Sequence, residues 1–181
     1  MKRYLTVSLI AVAFVGMLSF NGCILDALNS YTVNIPIKSE YNITSALTSY
    51  SKTDTIDLSN SATYQRYSDK IKNVQYLTAD FRTKSVTPPD LSANITLTLK
   101  DKDGNFNLSY PLGSIKPADY MNTPYQLQFN MGDIQVINGY LSLPSNKVFI
   151  ATISISNVSS SQLTYNLDAV IDIVFSANTK L

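Results

Sequence analysis

The sequence predicts a mostly β protein, an antiparallel β-sandwich or partly open barrel of about eight strands with one or two short helices. Three observations point there. Several segments alternate apolar and polar residues with period two, the pattern of a half-buried strand. The polar residues are dominated by Asn, Ser and Thr, there are 12 Tyr, and Glu40 is the only glutamate, a mixture that favours turns and strands over long helices. No βαβ rhythm is present, so a parallel sheet is not expected.

In chain order, Tyr31 to Lys38 alternates with Val33, Ile35 and Ile37 on one side, and Pro36 marks an edge strand because it has no N–H for a ladder. The Ser- and Thr-rich stretch that follows is expected to hold two short edge strands, Ile43 to Leu47 and Thr53 to Leu58. Asn60 to Lys72 carries Tyr64, Tyr67 and Ile71 at helical spacing after capping residues, which predicts a helix. Val74 to Val86 reads as a long strand with Leu77, Ala79 and Phe81 inward, ended by Pro88 and Pro89.

Ile95, Leu97 and Leu99 precede an Asp-Lys-Asp-Gly turn, and Phe106, Leu108, Tyr110 and Leu112 follow it. A two-residue turn at Asp103-Gly104 would pair Leu99 with Leu108, Leu97 with Tyr110 and Ile95 with Leu112, all on one face. Residues 113 to 124 read as a loop with one helical turn, Tyr125 to Phe129 as a short strand, and Gly132 to Leu143 as a covering helix. The strongest strands are Val148 to Val158 and Leu163 to Phe175, which are expected to be central and to form a hairpin.

Composition narrows the chemistry. The chain has 181 residues, no His and no Trp. Without His it lacks the commonest general base and the commonest metal ligand. Of the 14 Lys and Arg, Lys2 and Arg3 fall in the first 22 residues, leaving 12 against 13 acidic groups. That balance gives no basic surface of the kind nucleic acid requires.

The amino terminus reads as an address. Lys2 and Arg3 precede an apolar run from Leu5 to Phe20. As a helix the run would span about 24 Å, short of the roughly 30 Å of a bilayer core, so a signal peptide over residues 1–22 is expected. The segment Leu18-Ser19-Phe20-Asn21-Gly22-Cys23 resembles the lipobox of bacterial lipoproteins. That resemblance implies a lipid on Cys23, the only cysteine, with cleavage before it, and Ile24 after it implies the outer membrane. Residues 23–30 then form a short lipidated tether and 31–181 a single β-rich domain, held at the cell envelope through its lipid.

Candidate catalytic sites fare poorly. Asp101, Asp103 and Asn105 superficially match a calcium loop, but the sixth and twelfth positions from Asp101 are Phe106 and Leu112 where Gly and Glu are needed, so a hairpin turn is the plainer account. Ser49-Tyr50-Ser51-Lys52 has the S-x-x-K spacing of penicillin-binding enzymes without their other elements. Asp168 and Asp172 fall on one outward face and keep open a small hydrolase working through carboxylates. No cofactor is implied. The favoured contact surface is the loop with Tyr110, Lys116, Asp119, Tyr120 and Tyr125, since Tyr buries area at little entropic cost and suits a protein or glycan partner, although Tyr110 and Tyr125 also fit core-facing strand positions. The expected function is non-catalytic binding or assembly. A strand-exchanging fibre subunit is a further alternative, hinted at by the apolar last strand.

Overall fold

The computed structural model describes residues 30–143 and 145–180. The signal-like run, Cys23 and residues 24–29 of the tether lie outside the described residues. Eight strands are present among the described residues: β1 (Ser30–Ser45), β2 (Tyr50–Asp57), β3 (Ile71–Thr87), β4 (Ser92–Asp101), β5 (Asn107–Ile115), β6 (Tyr125–Gln126), β7 (Val148–Ser159) and β8 (Tyr165–Lys180). Two α-helices accompany them among the described residues, α1 (Ala62–Tyr67) and α2 (Met131–Leu141).

The strands make two antiparallel four-stranded sheets, ordered β1-β8-β3-β6 and β2-β7-β4-β5. Two sheets facing each other with that interleaved order are a jelly roll, which settles the choice between sandwich and barrel. Apolar side chains at every second position of both sheets meet in one core. At its centre Phe149 of β7 stacks on Phe175 of β8 at 5.7 Å between ring centroids.

Most expected strands are in place, and the departures have physical causes. β1 runs unbroken to Ser45, absorbing the separate strand expected near Ile43. Ser39 keeps the alternation by turning inward, where its hydroxyl donates to Asp54 Oδ2 at 2.6 Å. The helix expected over Asn60 to Lys72 is confined to Ala62–Tyr67. Ile71 instead opens β3 opposite Thr179, and Lys180 N donates to Lys70 O at 2.9 Å, so the ladder to β8 takes those residues from the helix.

Leu77 was expected inward and is 51% exposed. Tyr76 pairs with Phe175 and Thr78 with Val174, so Leu77 is the extra residue of a β-bulge and is turned outward.

The β4–β5 register matches expectation at Leu99↔Leu108 and Leu97↔Tyr110. Ile95 then pairs with Gly113, not Leu112, because a second bulge at Leu112 shifts β5, and Gly113 takes φ +80 there without a side-chain penalty. The connection is wider than a two-residue turn, since pairing stops at Lys100↔Asn107. Asp101, 1% exposed, organises it by accepting from Phe106 N at 3.0 Å and Asn105 Nδ2 at 2.6 Å. Burial alone would push this carboxyl up. The donors from Phe106, Asn105 and Asp103 reverse that and hold it below its ordinary value.

β7 and β8 are central strands as expected, but they do not form a hairpin. They lie in opposite sheets, because each carries a long apolar face that has to be covered by the other sheet. Leu163, assigned to the second of them, precedes β8 and is 92% exposed. Of the strand expected from Tyr125 to Phe129 only Tyr125–Gln126 pairs with β3. Helix α2 starts one residue early, capped by Asn130 Oδ1, which accepts from Asp133 N at 3.0 Å. Its buried Ile137 and Leu141 seal the core beside β3.

Candidate functional site

The connection from β5 to β6 is built by one proline and one short ladder. Pro117 is buried at the first position of a 3-10 turn, Pro117–Tyr120, and Asp119 N donates to Lys116 O at 3.0 Å. The pairs Asp80↔Gln126 and Phe81↔Tyr125 then bring the returning chain onto β3. Tyr120 is held between Phe81, at 6.2 Å between ring centroids, and Tyr125, at 5.4 Å. Tyr110 joins the group from β5, its hydroxyl accepting from Gln128 N at 3.1 Å. Burial raises the Tyr125 phenol, and neighbouring Tyr110 and Tyr120 raise it further.

The structure therefore gathers Tyr110, Tyr120 and Tyr125, the three tyrosines the sequence indicated. Lys116 and Asp119 stand exposed on the rim, and neither takes part in an ion pair among the described residues. Half-buried rings flanked by one cation and one anion can hold an extended polar ligand by stacking and hydrogen bonds. The group contains no nucleophile paired with a base.

The other patterns resolve into structural roles. Asp168 and Asp172 sit four residues apart on β8, about 13 Å at ~3.3 Å per residue, wider than the roughly 9.5 Å limit for paired glycosidase carboxyls. Asp172 is engaged by Arg82 Nε at 2.7 Å and Asp168 by Ser85 Oγ at 2.8 Å. Lys52 of the S-x-x-K string donates through Nζ to Asn42 O at 2.7 Å, away from any serine of that string. Asp101 spends its oxygens on the amides of its own loop.

Two exposed leucines were missed by the sequence reading. Leu47 and Leu163 each lie two residues beyond the pair Ser45↔Tyr165 that ends the β1–β8 ladder, and they are 62% and 92% exposed. Asp90 ties that end together by accepting from Ser161 N and Oγ, each at 3.0 Å. Leu163 escaped notice because it falls in phase with the inward residues of β8.

No protein-family model and no curated protein matches the sequence. Among solved structures, Desmodium yellow mottle tymovirus is 11% identical over 84% of this chain and 83% of that chain, with a TM-score of 0.41. Turnip yellow mosaic virus is 8% identical over 83% of this chain and 95% of that one, with a TM-score of 0.44. The decameric capsid protein of BFDV is 10% identical over 82% and 99%, with a TM-score of 0.42. These are likenesses at low identity and low TM-score, and the jelly roll described above stands on this chain's own strand pairing.

Proposed function

We propose that the chain is a lipid-anchored module of the cell envelope, sited at the outer membrane by the rule its Ile24 follows, that works by binding or assembly and not by catalysis. The observation that carries this reading is the placement of its ends. Ser30 pairs with Lys180, so the chain enters and leaves at one end of the sandwich. With Cys23 in a bilayer, the tyrosine-lined connection lies in the half turned away from the membrane. Tyr125 faces Phe81, ten residues along β3 from Ile71, or roughly 33 Å at ~3.3 Å per residue. A rigid sheet carrying a loop outward in this way suits presentation to a partner.

The alternatives lose their motives. The carboxyl spacing on β8 is too wide for a paired hydrolytic centre. β8 lies between β1 and β3 in the middle of its own sheet, where it is not available for exchange with a neighbour.

The test has two arms. A palmitate analogue should label the wild type and not Cys23→Ala, and equal labelling would remove the anchor. Site-directed photocrosslinking from position 121, beside Tyr120, should capture an envelope component that Lys116→Glu with Asp119→Lys no longer captures. An unchanged crosslink would remove the loop from the interface.

A further inference from the structure

The end of the sandwich where the chain enters differs in charge from the opposite end. Ser30↔Lys180, Ile71↔Thr179 and Asp57↔Val148 place the start of β1, α1, the start of β3 and the segment before β7 together. Arg66, Lys70, Lys72, Lys147 and Lys180 gather there, and the pair Asp101↔Phe149 brings the β4–β5 turn with Asp101, Lys102 and Asp103 to the same end, six cations against Asp57, Asp69, Asp101 and Asp103. Three of these acids hydrogen-bond within their own turns: Asp57 Oδ1 accepts from Ser59 N at 2.8 Å, Asp69 Oδ1 from Ser68 Oγ at 2.9 Å and Asp101 Oδ1 from Phe106 N at 3.0 Å. At the opposite end the connections 46–49, 88–91 and 160–164 contain no Lys or Arg, and the connection that leaves β5 there carries Lys116 with Asp119.

The basic end is also concave. A cavity of about 150 Å³ opens between α1, the start of β3 and the end of α2, lined by Lys72 and Lys147 together with the donors Ser68, Asn73, Ser142 and Asn146. Lys147 Nζ lies 5.1 Å from the centre of the Tyr64 ring, which holds the cation at the mouth. Leu143 stands on the rim, 56% exposed.

We infer that this end rests on an anionic phospholipid surface, with headgroup phosphates against Lys70, Lys72 and Lys147 and Leu143 dipping toward the acyl boundary. The inference rests on the anchor reading, because seven residues from Cys23 to Ser30 reach at most about 25 Å at ~3.6 Å each. That tether holds this end within reach of the bilayer. Each Lys near an anionic surface strengthens attachment about fivefold, and the attraction fades beyond roughly 10 Å in 0.1 M salt.

The experiment uses the full lipidated chain in vesicles of phosphatidylcholine with phosphatidylglycerol and, separately, of phosphatidylcholine alone. A water-soluble amine reagent labels lysines, and mass spectrometry reads each site. Lys70, Lys72 and Lys147 should react several-fold more slowly on the anionic vesicles, while Lys38, Lys84 and Lys116 react equally on both. Added salt should erase the difference. Lys70→Gln with Lys72→Gln, both at exposed positions, should restore rapid labelling of Lys147 on anionic vesicles. Equal labelling on the two vesicles overturns the inference. So does protection produced on neutral vesicles by inorganic phosphate, which assigns a free-phosphate site, or protection that follows protein density and not headgroup charge, which assigns a second copy. Absence of acyl mass on Cys23 is read in the same spectra and counts against the anchor alone.

Discussion

Replacing Ile171 tests which face of β8 is inside. Ile171 is 4% exposed on a strand flanked on both sides, opposite Ser39 of β1 and Phe81 of β3. Ile171→Ala removes three carbons, about 2.4 kcal/mol at ~0.8 kcal/mol per buried CH₂. A central strand cannot move in to fill the space, so a cavity contribution brings the loss to about 4 kcal/mol. For a domain of this size that lowers Tm by roughly 8–16 °C. Ile171→Asp should cost more, because an unpaired carboxylate enters the core. Urea unfolding followed by circular dichroism measures both, with an unchanged m-value as the sign that only stability has shifted. Val174→Ala, on the half-buried opposite face, should cost about 1 kcal/mol, and Asp168→Asn less. If Val174→Ala costs as much as Ile171→Ala, the register of β8 is wrong.

Acid should weaken the fold partly through Asp101: a carboxyl held low in the folded state contributes stability above its unfolded value, near 3.8, and loses it as pH falls through the folded value. Asp101→Asn should therefore flatten the acid limb of a stability–pH curve, and an identical limb in the variant would refute this. Tyr41, with its phenol pushed up to about 12 chiefly by burial, should contribute stability that is complete below pH ~10 and lost as pH rises through 12, so Tyr41→Phe should blunt alkaline unfolding. Leu77→Asn should change stability by no more than ~0.5 kcal/mol in thermal melts, since the bulge exposes it; a core-sized loss would mean the bulge is absent.

The inward faces of β4, β7 and β8 were legible because their alternation runs without interruption, and Pro36 marked an edge for a reason local to one residue. The bulges at Leu77 and Leu112 were hidden, since one inserted residue leaves an apolar pattern that still reads as period two on either side. Pairing was harder still. β7 and β8 adjoin in sequence and match in pattern, and only the requirement that two apolar faces cover each other puts them in different sheets. Tyr110, Tyr120 and Tyr125 could be named together, whereas the ring contacts among them depend on β6 returning to β3. The basic end was invisible because its cations come from five segments, none of them a charge run.

The full-length pairing of β1 with β8, from Ser30↔Lys180 to Ser45↔Tyr165, bears on mechanical load. Tension applied between the start of β1 at Ser30 and the start of β8 at Tyr165 would draw the two strands from opposite ends, parallel to their length. The hydrogen bonds of the ladder are then sheared together and share the force. Pulling instead on Ser30 and Lys180, which lie side by side, would peel the same bonds apart one after another. The geometry makes the sandwich strong along its strands and weak across the pair Ser30↔Lys180.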